Sequence, residues 1–228
     1  MNIAIIPARG GSKRIPRKNI KGFCGKPMIA YSIEAALQSK LFDRVIVSTD
    51  DKEIANIAKE YGAEVPFIRP KELSDDYTTT IPVIAHAITE LQKEGPIETA
   101  CCIYATAPFI QVNYLQKAYK SLIKNQSDYT FSATSFPFSI QRAIKLDKDK
   151  KVEMFQPEYF NTRSQDLEEA YHDAGQFYFG TTQAWLNKKP IFSKKSSVII
   201  LPRHLVQDID TIEDFTRAEL MYKAIHSD

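Results

Sequence analysis

The chain has 228 residues, 43% of them hydrophobic and 25% charged, enough for one substantial core and unlike collagen, coiled coils or disordered chains. With 30 basic against 28 acidic side chains the formal charge is +2, which excludes the global basicity of a protein that coats nucleic acid. The three cysteines, Cys24 and the adjacent Cys101 and Cys102, fit neither a disulfide framework nor a zinc site.

Short apolar runs alternate with helical stripes through the first half of the chain. Ile3, Ile5 and Ile6, ended by Pro7, predict a buried first strand, and Ile29, Ile33, Ala36 and Leu37 a helix. Val45, Ile46 and Val47 predict the second strand, followed by a helix on Ile54, Ile57, Ala58 and Tyr61. A third strand is expected at Val65 to Ile68, then a helix on Ile81, Ile84, Ala85, Ile88 and Leu91. Ala100 to Tyr104 reads as the fourth strand, with a helix on Leu115, Ala118, Tyr119 and Leu122 behind it. Residues 131–171 mix aromatic, proline and charged side chains without helical period, and predict an inserted, β-rich excursion that serves as an oligomerisation arm. Strands return at Gly175 to Gly180 and Val198 to Leu201, and a helix from Thr211 to about Ile225 carries Phe215, Ala218, Tyr222 and Ile225 on one stripe. Strands alternating with amphipathic helices predict an α/β domain, a mainly parallel sheet covered on both faces, with ligands beyond the carboxyl ends of its strands. Nothing precedes Pro7 that reads as a signal peptide, and no run reaches the roughly 18 apolar residues of a membrane span. A reduced, cytoplasmic protein without a membrane partner is the expectation.

The loop after the first strand, Pro7-Ala8-Arg9-Gly10-Gly11-Ser12-Lys13-Arg14-Ile15-Pro16-Arg17-Lys18-Asn19, carries most of the chemistry. No acidic residue occurs from Met1 to Ile33, whereas Arg9, Lys13, Arg14, Arg17, Lys18, Lys21 and Lys26 are all basic. Glycines let backbone N–H groups approach an anion, and the cations around them suit a phosphate in its transition state. The spacing is neither a dinucleotide fingerprint nor a P-loop. On composition alone the loop also reads as a solvated basic surface or a nucleic-acid patch. Near the other end, Asp208 and Asp210 lie two apart, so that in an extended segment both carboxylates face one way and can grip one cation. Hard oxygen donors beside a phosphate favour Mg²⁺. Thr211 and Asp214 read instead as a capping box for the last helix. His86, His172, His204 and His226 are too scattered for a metal set or a triad, Cys101 and Cys102 read as core, and Trp185 as packing.

Ile6-Pro7-Ala8-Arg9-Gly10-Gly11-Ser12-Lys13 followed by Lys18-Asn19 resembles the signature loop of the cytidylyltransferases that activate acidic sugars, the CMP-sialic acid synthetase family. The resemblance runs on through Arg69-Pro70, Leu73-Ser74, Arg163-Ser164-Gln165-Asp166-Leu167 and Asp208-Ile209-Asp210. Within that family, Tyr104-Ala105-Thr106-Ala107-Pro108-Phe109 and the stretch from Tyr171 to Phe179 look most like the branch that takes pseudaminic acid.

The resemblance implies a three-layer, Rossmann-like fold of the nucleotide-diphospho-sugar transferase type, a single nucleotidyltransferase domain over 1–228 with an inserted dimerisation arm, and a homodimer. It implies an Mg²⁺-dependent enzyme that joins CTP to an acidic nine-carbon sugar and releases pyrophosphate, supplying flagellin glycosylation or surface polysaccharide synthesis, with no nucleic acid as partner. The same chemistry on sialic or 3-deoxy-octulosonic acid stays open, as does a non-catalytic nucleotide- or RNA-binding protein.

Carried over by position, Lys18 and Arg9 are the catalytic cations. Ala8, Arg9, Gly10, Gly11, Ser12, Lys13, Lys18, Asn19, Arg69, Ser74 and Thr80 contact CTP, and Asp208 and Asp210 hold the metal. Thr80 serves equally as a helix cap. Tyr104, Thr106, Arg142, Arg163, Gln165, Tyr171, Gln176 and Phe177 contact the sugar, with Arg142 or Arg163 reaching the sugar carboxylate of a neighbouring subunit or, alternatively, forming a structural ion pair. Where sialic acid enzymes read Gln-Pro-Thr-Ser-Pro, this chain has Tyr104-Ala105-Thr106-Ala107-Pro108, which favours an isomeric nonulosonic acid.

Overall fold

The computed structural model describes residues 1–226. The first apolar run forms strand β1 (Asn2–Pro7), and the basic loop after it leads into a small hairpin of β2 (Gly22–Phe23) and β3 (Lys26–Pro27). Helix α1 (Met28–Ser39) and strand β4 (Arg44–Ser48) follow, then α2 (Lys52–Glu60), α3 (Thr80–Leu91), β5 (Thr99–Ile103) and α4 (Val112–Asn125). The second half holds β6 (Tyr129–Ser135), a hairpin of β7 (Ile144–Leu146) and β8 (Val152–Met154), β9 (Tyr171–Thr181), α5 (Thr182–Leu186), β10 (Ser196–Ile200) and α6 (Ile212–His226).

Six strands make one sheet in the order β10-β6-β9-β5-β1-β4. Strand β1 runs parallel to β4 and β5, and β10 parallel to β6, while β9 is antiparallel to both β5 and β6. The mainly parallel α/β fold is therefore as expected, with one reversed strand near its middle. One face is filled by Ala4, Ile6, Val45, Val47, Cys101, Ile103, Phe177 and Phe179 together with Ile29, Ile33, Leu115 and Leu122 of α1 and α4. The other carries Ile3, Ile5, Ile46, Cys102, Tyr129 and Tyr178 against Ile84, Ile88 and Leu91 of α3 and Trp185 of α5. Cys101 and Cys102 point to opposite faces, as successive strand residues must, and both are fully buried. Trp185 is likewise core, its indole N–H donating to the Ala100 carbonyl at 3.0 Å.

Two expectations are corrected. Val65 to Ile68 is no strand: the chain makes one bridge, Glu64 with Ile46, and then leaves the sheet. Pro66 has no N–H to give to a ladder, and Ile68 is left 58% exposed. Conversely, the irregular segment begins later than residue 131, because Tyr129–Ser135 is a strand buried on both faces. Its polar half is satisfied inside the core. Thr130 and Ser197 share a hydroxyl contact of 2.7 Å, and Thr134 donates to the Leu201 carbonyl at 2.8 Å.

Ser132 accepts from the N–H groups of Gln176 and Phe177, at 3.3 Å each. That serine closes the irregularity where β9 loses register between Phe131 and Ala133, and Gly175 supplies the left-handed turn there with φ of 62°. Strand β9 thus starts at Tyr171, and the excursion shrinks to the stretch between Ser135 and Tyr171, with the β7–β8 hairpin inside it.

Gly180 marks a close approach in the core. A Cβ there would lie 2.5 Å from the Trp185 indole nitrogen and 2.7 Å from two ring carbons of Tyr129. Gly180→Ala is expected to destabilise the fold by about 1–3 kcal/mol, read as a lower urea midpoint. Gly11→Ala, whose Cβ would meet nothing within 4 Å, leaves the midpoint unchanged.

Candidate functional site

The carboxyl ends of β1 and β5 open onto the basic loop. Ala8 still pairs with the sheet, its N–H donating to the Ser48 carbonyl at 2.9 Å, so the loop departs at Arg9. Gly10 donates its N–H to Asp50 at 3.0 Å, and a Cβ there would lie 2.7 Å from an Asp51 carboxylate oxygen. Glycine is what permits that approach. Asn19 is buried and donates to the Arg9 carbonyl at 2.9 Å, pinning the loop's two ends together. Arg17, in a left-handed conformation, forks onto both oxygens of Asp51 at 2.5 and 2.9 Å and onto Glu53. Asp51 also caps α2 through the Ile54 N–H. One basic residue of the loop is thus a brace.

The remaining cations border a cavity of about 410 Å³ lined by Arg9, Ser12, Lys13, Lys18, Asn19, Arg69, Thr80, Tyr104, Thr106, Asp208 and Asp210. Their carboxylate partners come from distant segments. Arg9 pairs with Asp76 at 2.8 Å and also reaches the Asp75 carbonyl, Lys13 pairs with Asp76, and Arg14 pairs with Asp210 at 2.8 Å. The Lys18 ammonium donates to the Ile209 carbonyl at 2.5 Å and lies 3.4 Å from Asp210. The two ends of the chain therefore meet at this cavity.

Arg69 is the unusual member. It is 4% exposed, and its Nε and one terminal nitrogen have no hydrogen-bond partner. The nearest carboxylate, on Asp50, is 3.8 Å away. Burial pushes its pKa down despite Asp50. A guanidinium withdrawn from water with nitrogens unmet is costly unless a ligand completes it, and this one borders the cavity.

Asp208 and Asp210 flank Ile209, which is fully buried, so the two carboxylates project from an anchored segment into one cavity. Asp208 opens onto that cavity, yet its carboxyl is partly withdrawn from water. That desolvation, reinforced by the neighbouring Asp210 and opposed by Lys18, raises its pKa. Two repelling carboxylates on hard oxygen donors fit a divalent cation such as Mg²⁺. The cap belongs to their neighbours: Asp214 accepts from the N–H and the hydroxyl of Thr211, 2.8 Å each, and its own N–H donates back at 3.2 Å.

A second cavity, of about 800 Å³, adjoins the first and shares Tyr104 and Asp208 with it. Tyr104 meets the Thr80 hydroxyl at 3.1 Å, so Thr80 faces inward rather than capping α3. The Tyr104 ring lies 5.3 Å from that of Tyr178, whose hydroxyl donates to Asp173 at 2.5 Å. Burial raises the pKa of both phenols.

A family model described as "Cytidylyltransferase" matches residues 3–224. The chain belongs to the cytidylyltransferase family. It is therefore a nucleotidyltransferase enzyme, as the motif resemblance implied. A relative named pseudaminic acid cytidylyltransferase, from Campylobacter jejuni serotype O:2, is 54% identical over 99% of this chain and 97% of its own. CMP-N,N'-diacetyllegionaminic acid synthase of Legionella pneumophila is 32% identical over 95% of this chain and 94% of its own. The solved structure of CMP:2-keto-3-deoxy-manno-octonic acid synthetase complexed with CTP superposes with a TM-score of 0.72 at 14% identity, covering 98% of this chain and 99% of that one. At that identity the likeness is one of fold. No helix among the described residues is long and apolar enough to cross a membrane.

Of the other residues expected in a cytidylyltransferase site, several lie elsewhere in the subunit. Ser74 donates to the Pro70 carbonyl at 2.9 Å and ends a short turn outside the cavity lining. Phe177 is fully buried between sheet and helices. Gln176 is buried too, its amide donating to the Leu205 carbonyl at 2.5 Å, which ties β9 to the segment that carries the aspartates. Arg163 pairs with Asp166 at 2.7 Å, Gln165 is exposed beside it, and Arg142 lies 3.4 Å from the Ser164 hydroxyl, all within the excursion. Tyr171 stands at the base of the excursion, its hydroxyl on Glu169 at 2.6 Å. Sequence reasoning missed Asp76, which holds Arg9 and Lys13 at the edge of the cavity.

Asp51 titrates at about 2, held down chiefly by the Arg17 hydrogen bonds. A depressed carboxylate stabilises the fold at pH values above its ordinary one, and that contribution is lost as the pH falls through the folded value. Asp51→Asn keeps the cap and loses the ion pair. It is expected to cost about 1–2 kcal/mol at pH 7, allowing for the exposure of Arg17. The gap from wild type, followed by urea unfolding, narrows steadily as the pH is lowered from 5 towards 2.

Proposed function

We propose that the protein joins CTP to pseudaminic acid, giving CMP-pseudaminic acid and pyrophosphate by direct attack of the sugar's anomeric hydroxyl on the α-phosphorus. The observation that carries the reading is the buried, incompletely bonded Arg69 guanidinium on a cavity that also holds the loop cations and the Asp208–Asp210 pair. A nucleoside triphosphate offers acceptors and negative charge to all of them at once. The 54% identity to the Campylobacter jejuni relative named for this reaction supports the choice of sugar.

In this reading Arg9, Ser12 and Lys13, with the N–H group of Gly11, cradle the β- and γ-phosphates, while Ala8 and Gly10, whose N–H groups are held by Ser48 and Asp50, fix the course of the loop. Asn19, Arg69 and Thr80 hold the nucleoside end, with Ser74 stiffening the turn after Arg69. The triphosphate takes Arg9 and Lys13 from Asp76, exchanging a surface carboxylate for a multivalent anion. Lys18, pinned on the Ile209 carbonyl, faces the α-phosphate and stabilises the charge that develops there. The anomeric oxygen forms the new P–O bond and releases its proton to solvent, the bond between the α-phosphorus and the oxygen bridging to the β-phosphate breaks, and pyrophosphate departs after the loop cations have balanced its charge. Asp208 and Asp210 hold Mg²⁺, which on binding neutralises charge on the reacting phosphate. Most of the catalysis is positioning and electrostatics rather than covalent chemistry.

Tyr104 and Thr106 stand where the sugar enters, with Gln176 and Phe177 shaping the wall from behind. Tyr171, Arg142, Arg163 and Gln165 sit on or beside the excursion, from which a second subunit in a homodimer presents them. The reaction is placed in the cytoplasm, where CTP is made.

The test is pyrophosphate release with CTP, Mg²⁺ and, in turn, pseudaminic, sialic and 3-deoxy-octulosonic acids. Release is expected with pseudaminic acid at a kcat/KM at least about 100-fold above the others; equal or better turnover of another acid reassigns the substrate, and binding of CTP without product from any acid removes the catalytic reading. Lys18→Ala is expected to lower kcat by about 100-fold at saturating CTP with an unchanged urea midpoint, and unaltered kcat removes Lys18 from the mechanism.

A further inference from the structure

We propose that Asp173 is a positioning residue for the transfer: through the Tyr178 hydroxyl it sets the Tyr104 phenol as an acceptor at the boundary of the two cavities, where it takes an O–H or N–H of the sugar. The inference rests on the acidic-sugar reading and adds the side chains that fix this contact from behind.

Tyr104 lines both cavities, Thr80 the nucleotide cavity, and Tyr178 and Asp173 the second one. The Thr80 and Tyr104 hydroxyls lie 3.1 Å apart, the phenols of Tyr104 and Tyr178 interact, and the Tyr178 hydroxyl donates to Asp173 at 2.5 Å. Four side chains therefore link one cavity to the other. Their supports are rigid. Tyr178 stands on β9 opposite Cys102 of β5 and Phe131 of β6, is 3% exposed, and stacks on the Phe131 ring at 6.1 Å. Tyr104 follows β5 directly: its N–H donates to the Gln176 carbonyl at 2.9 Å, and its carbonyl accepts from the Ser32 hydroxyl at 2.7 Å. Asp173 has two tasks. One oxygen accepts from the Gly175 N–H at 2.9 Å and closes the left-handed turn there. The turn has no use for the other oxygen, and that one holds Tyr178.

Counting protons gives the chain a direction. A carboxylate only accepts, and a phenol has one proton to give. Burial raises the pKa of both phenols, so each keeps that proton at neutral pH. Tyr178 commits its proton to Asp173, and its oxygen is left as an acceptor beside Tyr104. A hydrogen bond between the phenols then consumes the Tyr104 proton. The Tyr104 oxygen keeps its lone pairs for the Thr80 hydroxyl and for a donor on the sugar, and each bond of such a buried chain polarises the next. An asparagine at 173 reverses the order without changing the shape. Its amide oxygen stays on the Gly175 N–H and its NH₂ group turns to Tyr178. The Tyr178 proton then swings to Tyr104, whose own proton is displaced towards the cavity and meets the sugar's donor head-on.

The experiment is steady-state pyrophosphate release with Mg²⁺, varying pseudaminic acid at saturating CTP and then CTP at saturating pseudaminic acid. Asp173→Asn is expected to raise the KM for the sugar by about 10-fold and to leave the KM for CTP unchanged, a split that loosening of the fold does not produce. Tyr104→Phe gives a similar rise. The Asp173→Asn/Tyr104→Phe double variant is no worse than Tyr104→Phe alone, because the two side chains act as one unit. Tyr178→Phe, which keeps Asp173 on its turn, reproduces the Asp173→Asn value and replaces that variant in the comparison if Asp173→Asn does not fold. A sugar KM of wild-type size in Asp173→Asn or in Tyr178→Phe overturns the proposal, as does a double variant whose losses multiply to about 100-fold. No pyrophosphate from wild type with pseudaminic, sialic or 3-deoxy-octulosonic acid refutes the acidic-sugar reading itself, and this inference falls with it.

Discussion

A small apolar cluster outside the main core holds the site together. Ile15 from the basic loop, Phe23 from β2, Met28 and Tyr31 from the start of α1, and Leu205, Ile209, Phe215 and Ala218 from the last stretch of the chain pack as one group. Phe23 alone makes edge-on ring contacts with Tyr31, Phe215 and Tyr222, at 5.4 to 5.5 Å. Cationic loops repel themselves and stray without such an anchor. Here burial of about eight side chains joins residues near 15 to residues near 209, and the polar groups follow. Lys18 falls on the Ile209 carbonyl because Ile15 and Ile209 are already in contact with the same cluster.

The charge of the loop reads differently in space than along the chain. In sequence, the first 33 residues are cationic without relief. In the fold, Asp51 and Glu53 after β4, Asp76 before α3 and Asp210 before α6 each arrive beside one of those cations. Some of these pairs are permanent supports, as at Arg17 and Asp51, where the acid also caps a helix. Others, such as the pairs of Arg9 and Lys13 with Asp76, sit at partly exposed positions where a pair contributes little. Folding thus offsets in space a charge that is unrelieved along the chain.

Much of this was legible in the residues. The periodicity of β1, α1, β4 and α2 is written plainly, and Thr211-x-x-Asp214 is already legible as a cap distinct from the carboxylates of Asp208 and Asp210. The failures have physical causes. Val65 to Ile68 has the composition of a strand, but Pro66 denies it the ladder. Tyr129–Ser135 lacks an apolar run because its buried Thr and Ser side chains are satisfied by β9 and β10, which no local window contains. Gln176 and Phe177 adjoin the site along the chain, yet the break in register at Gly175 turns their side chains into the protein.

The central claim is that the loop cations and the C-terminal aspartates converge on one triphosphate. The direct test is a crystal structure with CTP and Mg²⁺. The account predicts the α-phosphate between Lys18 and a cation held by Asp208 and Asp210, an acceptor atom of the nucleotide on the Arg69 guanidinium, and Arg9 and Lys13 transferred from Asp76 to the outer phosphates. A nucleotide bound elsewhere, or bound here with Asp76 still on both cations and Arg69 still unmet, contradicts it.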